Sequence, residues 1–315
     1  MLGRRSLMRT VGALIAVLAV CTGALGQTFP APRTSTLSGR VHVLHGPIQH
    51  ANRLNQGYMI NSTMIVGEGG VVLVDSGGSD EVGRHIAAAV RRITDKPVTH
   101  VVMTHHHGDH YLGNAAFDGV TLMSSELCRR MVLETGHEWL GMMERDIGRK
   151  LPGTKPRPAD MTFAQGTRTE KVIHGVRMVF WVPQGSHTIG DLLVHLPDDK
   201  VLVAGDVLVN GVVPTLQDGF LKNWIGTLEE MRDLGVVHFV PGHGDLMTIR
   251  DVTALRDAMH RFYSDVKQGY LEGRSESELR DSLDLSTWRS LERPYVIGRN
   301  INRAYLEVEA ESFDK

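Results

Sequence analysis

The stretch Thr104-His105-His106-His107-Gly108-Asp109-His110 crowds histidines and an aspartate into a single loop-sized segment. Within it runs the pattern H-x-H-x-D-H, at His105, His107, Asp109 and His110. Imidazole nitrogen and carboxylate oxygen are donors for zinc, and iron and manganese accept the same set. An apolar run at residues 98–103 precedes the segment and reads as a buried strand. A strand end opening into a loop can aim alternate side chains at one point. Four more polar residues stand in similar places: Asp75 after the run 71–74, His187 in Ser-His-Thr-Ile-Gly-Asp, Asp206 after 201–204, and His243 in Pro-Gly-His-Gly. Sheets commonly present chemistry from one set of strand ends. Taken singly, each has an ordinary explanation, because Gly-Asp is usually a turn former. The remaining histidines, including His106, His174, His195 and His238, take that ordinary reading, and Asp191 reads as a cap on the turn after His187.

The elements that would position these groups follow from periodicity. Residues 41–45, 58–66 and 71–75 are β-rich, the last two joined by Gly67-Glu68-Gly69-Gly70 as a hairpin. Val82, Ile86, Val90 and Ile93 recur at helical spacing behind Asp80 and Glu81. Residues 120–123 form another strand, and Ser124 is the expected N-cap of a helix over 125–145. The Pro-rich segment 151–158 is irregular: a connection, or a loop over a site. Paired strands are expected at 172–173 and 176–182, strands at 192–196, 201–204 and 236–240, and a helix at 220–234. Residues 27–38 read as a flexible start. The expected organisation is an α/β domain over 38–248 with a helical C-terminal extension over 249–315.

Composition restricts the partners. The chain has 315 residues, a net charge of −2 and 42% hydrophobic residues. That supports a large core, and no basic excess points to nucleic acid. Residues 1–26 read as an export signal: Arg4, Arg5 and Arg9 without an acid, an apolar run at 11–20, and Ala24-Leu25-Gly26 as a cleavage site. The run is too short to span a membrane, so no stable span remains after cleavage. Arg4-Arg5-Ser6-Leu7-Met8-Arg9 also resembles a twin-arginine signal, whose cargo is exported folded. The expected location is periplasmic or secreted. Of the two cysteines, Cys21 falls in the leader, and Cys128 reads as a buried apolar residue.

Together the motifs at Asp75, His105 to His110, His187, Asp206 and His243 resemble the metallo-β-lactamase superfamily, in family order over about residues 58–245. The resemblance implies an αββα sandwich with metals at one edge. It implies that His105, His107 and His187 hold one metal, that Asp109, His110 and His243 hold a second, and that Asp206 bridges them. Asp75 would support the histidine loop from behind. Two Zn2+ are the implied cofactors, with iron or manganese as alternatives. Two such ions share a water, lower its pKa and supply a hydroxide nucleophile, which Asp109 would orient or relieve of its proton.

An aspartate at position 206 resembles the glyoxalase II type more than the true β-lactamases, which typically carry cysteine or serine there. Gly190-Asp191-Leu192 and Trp224-Ile225 resemble a group of exported hydrolases. Arg289, Arg293, Arg299 and Arg303 match no glutathione site and read as a solvated helix face. The leading expectation is an exported dinuclear zinc hydrolase of a small-molecule ester, thioester, lactone or lactam. A mononuclear iron oxygenase resembling the persulfide dioxygenases is the alternative, and a non-catalytic metal-holding periplasmic binding protein is a third. Homo-oligomerisation and the role of the helical tail stay open.

Overall fold

The structure is a computed structural model that describes residues 31–313. The expected leader at 1–26, with Cys21, lies outside the described residues. A first sheet runs β1 (Arg33–Thr36), β2 (Val41–His45), β3 (Ser62–Val66), β4 (Val71–Val74), β5 (Val98–Val102), β6 (Thr121–Ser125) and β7 (Met161–Phe163), each beside the next. It is antiparallel from β1 to β4 and parallel from β4 to β7. A second sheet orders β8 (Arg168–Ile173), β9 (Val176–Trp181), β10 (Leu193–Leu196), β11 (Val201–Val209) and β12 (His238–His243) in the same way. Only its β11–β12 pair is parallel among the described residues. The helices are α1 (Asp80–Ile93), α2 (Gly108–Tyr111), α3 (Glu126–Ile147), α4 (Leu221–Glu230), α5 (Ile249–Leu271), α6 (Glu276–Ser282), α7 (Ser286–Arg289) and α8 (Ile297–Phe313).

The sheets pack face to face through alternate side chains. Val41, Val43, Ile65, Val72, Val74 and Val102 of the first meet Met178, Phe180, Val194, Val201 and Val203 of the second in one buried cluster. Phe163 stacks on Phe180 with ring centroids 4.5 Å apart. The alternate residues of the second sheet, such as Leu193, Leu202 and Phe239, bury against α4, α5 and α8 through Trp224, Leu228, Met259, Phe262 and Ile301. β11 is buried on both faces, which is why it reads as a continuous apolar run. The C-terminal helices therefore share a core with the second sheet. The result is the αββα sandwich with C-terminal helices. Among the described residues, no helix is long and apolar enough to cross a membrane.

Local signals set the helix ends. The Ser79 side chain accepts from the Val82 amide at the start of α1, whose first turn is acidic and last turn basic. α3 starts one residue later than expected, because Ser125, not Ser124, accepts the Cys128 amide. It ends at Gly148, in the left-handed conformation. The expected flexible start over 27–38 is corrected within the described residues: Arg33–Thr36 pairs with β2, and backbone pairing overrides a Ser/Thr-rich composition. The segment 151–158 braces neighbours: the Thr154 hydroxyl accepts the Asp80 amide at 3.0 Å, and Arg157 donates to the Asn114 carbonyl at 2.8 Å.

Candidate metal centre

The structure brings His105, His107, Asp109, His110, His187, Asp206 and His243 together at one end of the sandwich. Their donor atoms form three overlapping groups, His105/His107/His187, His105/His110/Asp206 and Asp109/His110/His243, each within 4.8 Å. His110 Nε2 lies 3.2 Å from Asp206 Oδ1. His243 Nε2 lies 3.4 Å from Asp206 Oδ2 and 3.3 Å from Asp109 Oδ2. Asp206 thus stands between the two histidine groups.

Distinct local devices place the residues of this cluster. Asp75 follows β4 in the left-handed region, with φ +60°. From there its carboxylate accepts the Thr104 amide at 2.9 Å, the Thr104 hydroxyl at 2.8 Å and the His110 Nδ1–H at 2.7 Å. It therefore ties both ends of the histidine loop. His187 sits between β9 and β10, where Asp191 accepts the Ser186 amide at 3.1 Å and the Thr188 hydroxyl at 2.7 Å. Burial pushes the Asp191 carboxyl up to about 7, against the pull of the Thr188 amide and hydroxyl. Asp206 was expected just past the end of a strand at Ala204. Instead β11 continues to Val209, with register breaks on both sides of Gly205. Gly205 has φ +52°, and a Cβ there would stand 2.5 Å from Thr104 Oγ1. The bulge lets one strand continue while turning Asp206 into the site. His243 closes β12, and Asn61 Nδ2 holds its turn by donating to the carbonyls of Pro241 at 2.9 Å and Gly244 at 2.8 Å.

Ring tautomers decide what this cluster can bind. Each imidazole donates one N–H outward: His105 Nδ1 to Thr104 Oγ1 at 3.0 Å, His110 Nδ1 to Asp75, His187 Nδ1 to the Thr215 carbonyl at 3.1 Å, and His243 Nδ1 to the Met59 carbonyl at 2.8 Å. His107 is reversed, with Nε2 donating to Asp218 Oδ2 at 3.0 Å. In neutral rings the other nitrogen then faces inward as a bare lone pair. His105 Nε2, His110 Nε2, His243 Nε2 and Asp206 Oδ1 are buried with no hydrogen-bond partner among the described residues. His187 Nε2 and His107 Nδ1 face each other at 3.0 Å. Two lone pairs at that distance repel, and a cation between them removes the conflict. Burial lowers the His187 pKa to about 3, which disfavours a proton on that ring. At His110, burial opposes protonation, but the carboxylates of Asp206, Asp109 and Asp75 outweigh it and raise the pKa. The cluster holds positive charge, and its donor set fits divalent metal ions.

The site opens into a cavity of about 370 Å3. Met59, Trp139, Met142, Met143 and Val296 supply apolar wall, and Trp139 lies 4.5 Å from His107, centroid to centroid. Sequence reasoning missed Asp218, Trp139, Asn61 and the carbonyls of Thr215 and Met59. None lies in a spaced motif, although Gln217-Asp218-Gly219 has the composition of a turn. The reading of the tail arginines as a solvated face holds for Arg289 and Arg299, which are exposed, although Arg299 also borders the cavity; it is corrected for Arg293 and Arg303, which are half-buried. Arg293 and Arg299 line the cavity because the turn before α8 folds back over the site. Arg303 Nε donates to the Gly219 carbonyl at 3.0 Å, beside Asp218. His106 is buried, with Nδ1 unpartnered among the described residues, and stands with His107 and Asp218 in a further donor group. Cys128 is buried, and burial raises its thiol pKa.

Among known proteins, the linear primary-alkylsulfatase of Pseudomonas sp. is 24% identical over 273 residues, 74% of this chain and 51% of that protein. A metallo-beta-lactamase type 2 of Bacillus sp. is 30% identical over 183 residues, 56% of this chain and 63% of that protein. The chain spans about half to two thirds of the length of these curated relatives. Among solved structures, the sec-alkylsulfatase Pisa1 of Pseudomonas sp. superimposes with a TM-score of 0.67 at 17% identity, over 87% of this chain and 50% of that one. A metallo-beta-lactamase from Pontibacter korlensis superimposes with a TM-score of 0.58 at 22% identity, over 73% of this chain and 99% of that one. These likenesses show the fold. The sequence model of the Metallo-beta-lactamase superfamily matches residues 56–243, and the chain belongs to that superfamily.

Proposed function

We propose that the protein is an exported, dinuclear zinc-dependent hydrolase of a small-molecule ester, thioester, lactone or lactam. One observation supports this most: five imidazoles turn a ring nitrogen inward around Asp109 and Asp206, each anchored through its other nitrogen. His105, His107 and His187 would hold one ion, Asp109, His110 and His243 the other, and Asp206 would contact both. When bound, such an ion pair polarises the scissile carbonyl and makes water a nucleophile near neutral pH. The chain supplies the rest. Asp109 orients the attacking water through its carboxylate oxygens and receives its proton. The Asp75 carboxylate and the Thr215 and Met59 carbonyls keep the imidazoles in the competent tautomer. The Trp139 and methionine wall excludes bulk water from the reacting atoms. Similarity to an alkylsulfatase adds sulfate esters to the substrates worth testing. Export, to the periplasm or medium, rests on the leader-like residues 1–26.

The test is the metal content of protein purified without added metal, followed by a panel of lactams, lactones, thioesters and sulfate esters. Near two zincs per chain with turnover on the panel is the expected result. Near one iron, with oxygen uptake on a persulfide, would replace the reading with an oxygenase. Full metallation without turnover on any substrate would make it a binding protein.

A further inference from the structure

We propose that Arg293 and Arg299 form an oxyanion subsite on the pocket wall, and that it selects substrates bearing a carboxylate on an apolar body, separate from the group that is cut. The proposal rests on the hydrolase reading of the same pocket. Every acid lining the cavity already has a cationic or imidazole partner. Asp146 Oδ2 lies 3.2 Å from His50 Nε2, Asp218 pairs with His107, and Asp109 and Asp206 face His243. The two guanidinium groups lack such a partner: neither Arg293 nor Arg299 joins an ion pair among the described residues. Arg299 Nη1 donates only to a neutral amide oxygen, Gln217 Oε1 at 3.2 Å. Arg293 Nη2 reaches the Gln49 carbonyl at 3.3 Å, while its Nε is buried with no partner. A ligand in the cavity would meet the Nη groups, because the buried Nε has no surface open to it.

The backbone supports the same conclusion. Arg293 has φ +61°, immediately before Pro294 and the 3₁₀ turn Pro294–Val296. A non-glycine residue held there is strained, and such strain concentrates where a side chain must be aimed. The planar guanidinium fork suits a carboxylate, which can accept two parallel N–H donors. Met59, Trp139, Met142 and Val296 line the same cavity, which suits a ligand with an apolar body. The cavity volume of about 370 Å3 suits a compact molecule.

The experiment compares two esters with the same leaving group, 4-nitrophenyl butyrate and mono-4-nitrophenyl glutarate, which differ in one terminal carboxylate. The readout is the ratio of kcat/KM, anionic over neutral. In Arg293→Gln and Arg299→Gln this ratio falls roughly tenfold or more each, the loss expected for a charge-assisted hydrogen bond. Arg289→Gln, which removes an equal charge from an exposed position, keeps the wild-type ratio. An unchanged ratio in the double variant, or an equal fall in Arg289→Gln, overturns the proposal. A second arm titrates 4-phenylbutyrate into wild type and the double variant at matched metal content by calorimetry, with thermal melts checking the fold. Arginine-dependent binding without hydrolysis of either ester, or of the lactam, lactone, thioester and sulfate-ester panel, keeps the subsite and removes the hydrolase reading. Hydrolysis with no arginine dependence in either arm does the reverse.

Discussion

Replacing Asp75 by asparagine changes one oxygen to an amino group, in a residue that only touches another residue of the centre. Asparagine tolerates the left-handed backbone that Asp75 adopts, so the turn after β4 persists. Its remaining oxygen still accepts the Thr104 amide. The new amino group faces two donors, the Thr104 hydroxyl and His110 Nδ1–H, formerly 2.8 and 2.7 Å from an acceptor. The cheapest relief is for His110 to move its proton to Nε2, which points at the centre. A charge-assisted hydrogen bond is worth about 1.5–3 kcal/mol. That converts to roughly tenfold to hundredfold in affinity for an ion that His110 would hold, the range usual for groups behind metal-bound imidazoles. The assay is competition with a chromophoric chelator, with His110 tautomer state read from ring nitrogen shifts. Zinc affinity within about twofold of wild type, with His110 still protonated at Nδ1, would refute the reasoning. Asp75→Ala goes further, because alanine in that backbone conformation adds about 1–2 kcal/mol of strain, and its melting temperature falls as well.

Asp206→Ala removes the carboxylate within 3.4 Å of both His110 and His243, and is expected to lose one ion per chain and most turnover; wild-type metal content and activity would sink the dinuclear assignment. His106→Ala is expected to keep metal content and turnover, since its ring meets the centre only through His107 and Asp218; loss of metal would show that the ligand register is wrong. Glu311 gives an acid-side signature. It accepts from Tyr263 at 2.6 Å and Lys267 at 2.9 Å, and these partners pull its carboxyl from 4.5 down to about 2. A depressed folded pKa contributes stability above the ordinary value and loses it as pH falls toward the folded one. The Tm of wild type should exceed that of Glu311→Gln near pH 6, by an amount worth at most about 1 kcal/mol after solvent screening, and the difference should shrink progressively as pH falls from about 4.5 toward 2. Curves parallel from pH 6 to 3 would contradict the network.

The parts of the site that were legible in the sequence lie close together along the chain or end an apolar run. His105, His107, Asp109 and His110 share one loop, so spacing alone suggests a common target. His187, Asp206 and His243 were found because each accompanies a β-rich run. What stayed hidden depends on tertiary packing. Asp218 reaches His107 from a turn between β11 and α4, and Trp139 reaches it from mid-α3. Arg293 and Arg299 lie in a stretch with no distinctive spacing, and only the packing of α8 on the second sheet brings them to the cavity. The strand through Asp206 was read as ending at Gly205 because glycine usually interrupts a strand. Here it marks a bulge, which sequence alone does not distinguish from an end.

The division of donors between sheets sets an order of synthesis. The histidine loop leaves the ribosome with the first sheet, but Asp206 and His243 belong to β11 and β12 of the second. A nascent chain that has emerged only through α3 carries four inward donors and no opposite wall. With those four alone, any ion would be held only weakly. The full set forms once β12 docks beside β11, and the arginine wall once α8 docks after it. A chain cut short before His243 would lack part of that donor set.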